Sequence, residues 1–228
     1  MINKSKSNIG KHLKHLKYVL NKRSSFSKSA GWDPLKIHYI APEKVVYVTP
    51  VTPYVDIIRH QSHGIDHPHS AINRGEFKKS RVGRVFNKDW DLKTLKFNQL
   101  IEFRSLKDFL TGNKKWEDTP FALRTIKWIE AGNQYREFMN VQDYLKHQPQ
   151  RVLKLSKSIE KNGVKRISYT RYDRRIFDEI TVNIGRHNDV FFNNRGHHRL
   201  SIAKIVGCEK VPVLVNTRHK KNKSKVEL

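Results

Sequence analysis

Residues 191–204 constrain the fold more than any other stretch of this chain. Phe191-Phe192-Asn193-Asn194-Arg195 reads as the end of a β-strand that runs into a polar turn on Gly196. His197-His198-Arg199-Leu200-Ser201-Ile202-Ala203-Lys204 then reads as the first turns of a helix. Upstream lies a hairpin with arms at 179–184 and 189–193, joined through Gly185-Arg186-His187-Asn188. Downstream the helix continues through Ile202 and Ile205 to Gly207, and the apolar run 211–215 follows as a buried strand. Strands and helices in this order call for an α+β domain.

The turn is also electrostatically unusual. Arg195, His197, His198 and Arg199 crowd a helix start, where the macrodipole already places roughly +0.5 of an elementary charge. The first N–H groups of any helix lack intrahelical partners, so the same position attracts anions. Positive charge gathered there calls for a compensating anion, and a phosphate fits best. The bland reading is a His-His-Arg corner hydrogen-bonded within the fold or open to solvent. The chain as a whole leans towards the first reading: 46 Lys and Arg against 21 Asp and Glu leave a net charge of +25. That excess implies nucleic acid, an anionic membrane surface or a nucleotide-type substrate, or else a surface adapted throughout to a host cytoplasm.

Residues 1–31 are rich in lysine and serine. Ile9, Leu13, Leu16 and Leu20 fall at helical spacing, with Lys11, Lys14, Lys17 and Lys22 on other faces. This basic amphipathic arm suits nucleic acid, a membrane surface, or docking on the chain's own domain or a second subunit. Short strands are expected at 37–40, 44–48 and 81–86, the first two separated by Ala41-Pro42-Glu43. His60, His63, His67 and His69 occupy a segment punctuated by Gly and Pro. Their spacing matches no zinc pattern, so a solvated loop is the simpler reading. Asp89 and Asp91 flank Trp90, a pair suited to Mg²⁺ or acid–base work, or to capping a turn while the ring fills core.

Leu100, Phe103, Leu106 and Leu110 form one helical stripe that stops at Gly112. Thr119 as N-cap and Pro120 at the first helical position open a second helix, which ends on Gly132. Glu117 and Asp118 are either helix-start acids that complement the dipole or site carboxylates. A third helix is expected from Pro149 to Asn162, with Gly163 as its stop and a β-run at 166–171 after it. The single cysteine, Cys208, removes a disulfide framework and any four-cysteine zinc site, and reads as a buried apolar residue. No run of about 18 apolar residues offers a membrane span, and the N-terminal stretch lacks a signal-peptide apolar core. We therefore expect a cytoplasmic protein with a basic arm (1–31), one domain (32–217) and a basic tail (218–228).

The order helix, Gly163, strand, hairpin, Gly196 turn, helix and Pro212-containing strand resembles the ParB/sulfiredoxin superfamily. The residues that carry the resemblance are Leu155-Ser156-Lys157-Ser158-Ile159-Glu160-Lys161-Asn162-Gly163, then Gly196-His197-His198-Arg199-Leu200-Ser201-Ile202-Ala203, Gly207, and Val211-Pro212-Val213-Leu214-Val215. They span 150–217, about a third of the chain. Gly83-Arg84-Val85 through Asp89-Trp90-Asp91, and Trp116-Glu117-Asp118-Thr119, are similar to pieces of stand-alone ParB-like proteins. The resemblance implies a ParB/sulfiredoxin-like mixed sheet with packed helices, here with an extra helical insertion and basic terminal arms.

It also implies that nucleotide phosphates bind at this turn: ATP, ADP or CTP, with or without Mg²⁺. Gly196 would admit the phosphate to the backbone, the N–H groups of His197 and His198 would donate, and Arg199 would add a charge-assisted bond, with Asn194 and Arg195 beside them. His197 stands where sulfiredoxins carry their cysteine, which excludes that chemistry. The family's partition proteins bind CTP and DNA and place a helix-turn-helix region downstream, where this sequence has a short tail. Archaeal free-serine kinases carry a similar Asp-Gly-His-His-Arg turn, with Arg195 here in place of the Asp.

Two functions are in view. The first is a nucleotide- or phosphate-binding ParB-like protein, DNA-binding or nuclease-like, whose basic arms hold nucleic-acid backbone, DNA rather than RNA. The alternative is an ATP/ADP-dependent small-molecule kinase that resembles free-serine kinase. Its catalytic groups would be His198 and a carboxylate from among Glu117, Asp118, Asp89 and Glu160. Net charge favours the first, and an oligomer is compatible with either.

Overall fold

The computed structural model describes residues 33, 35–49, 83–87, 89–92, 95–167, 176, 178–193 and 195–222. The arm at 1–31, the histidines at 60, 63, 67 and 69, Asn194 and residues 223–228 lie outside them. In chain order the elements are β1 (Ile37–Ile40), β2 (Val45–Val48), β3 (Arg84–Phe86), β4 (Leu95–Lys96), α1 (Ile101–Leu110), α2 (Pro120–Glu130), α3 (Val141–Asn162), β5 (Ile180–Ile184), β6 (Val190–Phe192), α4 (His197–Ile205) and β7 (Val211–His219). The α+β class expected from the sequence is the one observed.

One mixed sheet runs β1-β7-β5-β6-β2-β4. β5 lies parallel to β7, β6 is antiparallel to β5, and β2 runs parallel to β6. The outer edge of β7 is shared: β1 pairs antiparallel with its first half, Ile37 opposite Leu214, and β3 pairs parallel with its second, Arg84 opposite Thr217. Every residue of β5 and of β7 is buried, as expected of central strands covered on both faces.

Side-chain alternation along the strands divides the burial. Ile180, Val182, Ile184, Val190, Phe192, Val211, Val213 and Val215 form one face, packed against Leu200, Ile202 and Ala203 of α4 and Ile159 of α3. A second apolar cluster lies within the helical layer, where Leu106, Trp116, Phe121, Trp128, Tyr144 and Val152 meet. On the sheet's far face Phe191 stacks edge-on with Trp90 at 5.5 Å. Leu35, Ile176 and Leu214 form another patch. Buried amides link strand ends as well: Asn183 Nδ2 donates to Thr49 Oγ1 at 2.7 Å and to Asn193 Oδ1 at 3.3 Å, and Asn216 Nδ2 donates to Asn183 Oδ1 at 3.4 Å.

The start of α2 is as the sequence spacing predicts. Thr119 Oγ1 accepts from the Ala122 N–H at 3.3 Å, and Pro120 opens the helix. α3 departs from expectation. It begins at Val141, where Asn140 Oδ1 accepts from the Asp143 N–H at 2.8 Å, and Pro149 lies inside it. Proline removes the bond to the carbonyl four residues back. Tyr144, Gln148, Val152 and Ile159 are all buried on one side, and their packing outweighs that loss.

Two other expectations are corrected. β7 runs to His219, four residues past the expected end, so Arg218 and His219 belong to the sheet and not to a tail. Its polar end is buried because it is bonded: Arg218 Nη2 donates to Asn222 Oδ1 at 2.5 Å, and His219 Nδ1 accepts from the Lys221 N–H at 3.0 Å. Of the β-run expected at 166–171, residues 168–171 lie outside the described residues, and Arg166 and Ile167 are not in a strand. Cys208 is half-buried, packed on the main core without being enclosed by it.

Candidate functional site

The turn between β6 and α4 sits where a strand's carboxyl end meets a helix start. Its back is fixed to β5: the Thr181 N–H donates to the Arg195 carbonyl at 3.3 Å. Gly196 is the N-cap residue, at φ 78° and ψ 21°, in the left-handed region that favours glycine. A Cβ there would lie 2.7 Å from Ile180 Cγ1 and 3.0 Å from Ile180 Cα. The glycine is therefore needed for the close packing of the turn on β5, whatever else it admits.

Arg199 is turned inwards. Its Nη1 pairs with Glu179 Oε2 at 3.3 Å, and its Nη2 donates to the Asp178 carbonyl. Glu179 is fully enclosed and also accepts from the Ile167 N–H at 2.7 Å. Part of the charge crowded at this helix start is thus balanced within the chain. Burial lowers the Arg199 pKa from its ordinary value, while the Glu179 charge and its bond oppose the shift.

His198 meets a partner from far along the chain, Arg136 Nη2 at 3.2 Å from its Nδ1 and 62 residues away. Arginine has no acceptor. Nδ1 must therefore accept, which leaves the ring proton on Nε2 and the imidazole neutral while the contact lasts. His197 packs against His198 with ring centroids 4.3 Å apart, and Phe121 of α2 meets His198 edge-on at 6.3 Å. Arg195 is exposed. Arg136 is thus brought to the first turn of α4, which has no acidic residue and follows Gly196 and the exposed Arg195.

Behind Arg136 lies a buried polar set. Burial pushes the Tyr135 hydroxyl up to about 12; the Arg136 charge and hydrogen bond pull it down, and the charge of Glu102 raises it further. Glu102 is itself a buried carboxylate, in the first turn of α1. Glu102 thus acts on Tyr135 through its charge, and Arg136, next to Tyr135 in the chain, reaches His198 in the first turn of α4. No protein-family model matches this chain, and no curated protein or solved structure matches it either.

The remaining sequence candidates are dispersed. Glu117 and Asp118 lie on an exposed helical turn just ahead of α2 and, among the described residues, bond to nothing at the turn. Glu160 is exposed on α3. Asp89 and Asp91 belong to a clamp on the β5–β6 hairpin. Arg186 Nη2 reaches Asp89 Oδ1 and Asp91 Oδ1, each at 2.7 Å, and the Arg186 N–H donates to Asp91 Oδ2 at 2.7 Å. Among the described residues no group of three or more His, Cys, Asp or Glu side chains could hold a metal ion.

Arg136, Glu102 and Glu179 are the residues that sequence reasoning missed. Glu179 was readable only as the first residue of a hairpin arm. Arg136 stands at φ 55°, inside a tight turn closed by reciprocal bonds between Tyr135 and Phe138. Nothing in its local sequence points across 62 residues to His198.

Proposed function

We propose that this is a ParB/sulfiredoxin-like, phosphate-binding protein that takes a nucleotide at the α4 turn and binds or acts on nucleic acid. One observation carries the reading. The fold brings Arg136 to a helix start that already carries Arg195 and has no acid in its first turn, so positive charge from two elements converges where a helix favours an anion. Gly196 has no side chain with which to cap the helix, whereas Thr119 and Asn140 cap α2 and α3. Arg199 acts by positioning: its ion pair with Glu179 ties the helix to the segment ahead of β5. The nucleic-acid half of the reading rests on the net charge of +25.

A nucleotide panel in thermal-shift format tests the turn. ATP, ADP or CTP at about a hundred times its Kd is expected to stabilise the chain by ~2.7 kcal/mol. Arg136→Ala and Arg195→Ala should each weaken that stabilisation. No shift with any nucleotide sinks the phosphate reading.

A phosphotransferase acting on a small metabolite is the second reading, favoured by the Glu102 carboxylate, buried in the first turn of α1 and near enough to Tyr135 for its charge to raise that hydroxyl. Phosphoryl transfer from ATP or ADP that is lost in Glu102→Gln, with nucleotide binding intact, would select it over the first.

A further inference from the structure

The geometry points to the outer face of α3 as a nucleic-acid interface, with the phosphate backbone of a duplex as its occupant. This rests on the nucleic-acid half of the reading above and is independent of the turn. Tyr144, Gln148, Val152, Ser156 and Ile159 bury one side of the helix. On the opposite side Lys146, Lys154, Lys157 and Lys161 are exposed. At 3.6 residues per turn these four fall within roughly 80° of arc and along ~22 Å of axis. A duplex presents about one charge per 1.7 Å, so such a length runs beside ~13 phosphates.

Ordinary reasons for surface lysines account for little of this. The dipole effect fades within the last turn, where Lys161 is the basic residue; it leaves Lys146, Lys154 and Lys157 unexplained. None of the four makes an ion pair among the described residues. Acids are few on that face: Asp143 Oδ2 accepts from Asn140 Nδ2 at 2.8 Å in the first turn, and Glu160 lies at the margin of the arc. A lipid surface is a poorer match. A helix lying on a bilayer must turn its apolar face to the lipid, and the apolar face of α3 is in the core, with Leu153 its only large exposed apolar side chain.

The test compares two variants of the full chain that have the same net charge. One carries Lys154→Glu, Lys157→Glu and Lys161→Glu. The other carries Lys36→Glu, Lys44→Glu and Lys96→Glu, at exposed positions just before β1, just before β2 and in β4. Binding of a fluorescent DNA duplex is measured by anisotropy across 50–300 mM salt. The α3 variant should lose at least tenfold in affinity at the lowest salt, and its plot of log affinity against log salt should be shallower by about 3. The control should keep its slope within about 1 unit. Equal losses in the two variants would reduce the effect to net charge and overturn the proposal, as would no loss in the α3 variant. A milder version with glutamine at the three α3 positions guards against misfolding and should show a partial loss.

Vesicles rich in phosphatidylserine form the second arm. Binding to vesicles but not to duplex, with the α3 lysines required, overturns the proposal in favour of a membrane. Failure of the nucleotide panel together with an α3-dependent duplex slope would remove the turn and leave this interface standing.

Discussion

At the scale of single residues, two glycines with similar backbones are expected to behave differently. Gly196 and Gly207 have φ of 78° and 70°, a conformation that costs a residue with a Cβ roughly 1–2 kcal/mol. Around Gly207 there is open space, but at Gly196 the new Cβ would meet Ile180 at 2.7 Å. Gly207→Ala should therefore cost about 1 kcal/mol and Gly196→Ala at least ~2 kcal/mol, as read by urea denaturation. Arg199 carries a related prediction. Removing one partner of a buried pair leaves the other uncompensated, at ~3–5 kcal/mol, so Arg199→Ala should lower Tm by roughly 6–20 °C with no ligand present. A loss of nucleotide binding in that variant would then report unfolding, which is why Arg136 and Arg195 are the informative positions. The sequence did show that charge was crowded at the helix start. It did not show that Glu179 balances part of it, because a lone glutamate at the head of an apolar strand carries no signal of its partner.

At the scale of elements, local patterns located helices and strands well wherever a cap and an apolar period agreed, as at Thr119-Pro120 and along the hairpin. They failed where tertiary packing overrode a local rule. Pro149 looked like a helix start and is an interior residue. Restoring the missing N–H in Pro149→Ala should stabilise the chain by ~1–3 kcal/mol if the surrounding turn relaxes, measurable by the shift in urea midpoint. Arg218 and His219 looked like the start of a tail because the end of β7, from Asn216 on, is hydrophilic, yet each residue is buried. The clamp on the hairpin makes a prediction about acid. Burial alone would raise the Asp91 carboxyl, but the side-chain and backbone hydrogen bonds from Arg186, helped by the His219 charge, hold it below its ordinary value. A depressed carboxyl contributes stability that is fully present above the ordinary carboxylate range and is lost as pH falls through the folded value, below about pH 4. Thermal melts from pH 7 to pH 3 should show that loss, and Asp91→Asn should flatten it.

At the scale of the whole molecule, a net charge of +25 sets the chain against itself, since like charges destabilise a compact state. Raising NaCl from 50 to 300 mM shortens the Debye length and should raise Tm. Phosphate at matched ionic strength should raise it further, since it adds occupancy of the α4 turn to screening. A lower Tm in salt would place the excess charge in ion pairs that salt weakens. The sheet carries a consequence for how the chain acquires its structure. β7 joins β5 on one side to β1 and β3 on the other, and it follows every other described strand in the chain. Until it is made, the edges of β5 and β1 have no partner, and the pair Ile37–Leu214 joins opposite ends of the domain. Loop-closure entropy must be met before such contacts contribute, so folding should be slow and dominated by non-local pairing. Before it completes, β5 presents an open apolar edge on which a second nascent chain can register. The strand that holds the finished sheet together is thus the step a growing chain must wait for, and aggregation during synthesis competes with its arrival.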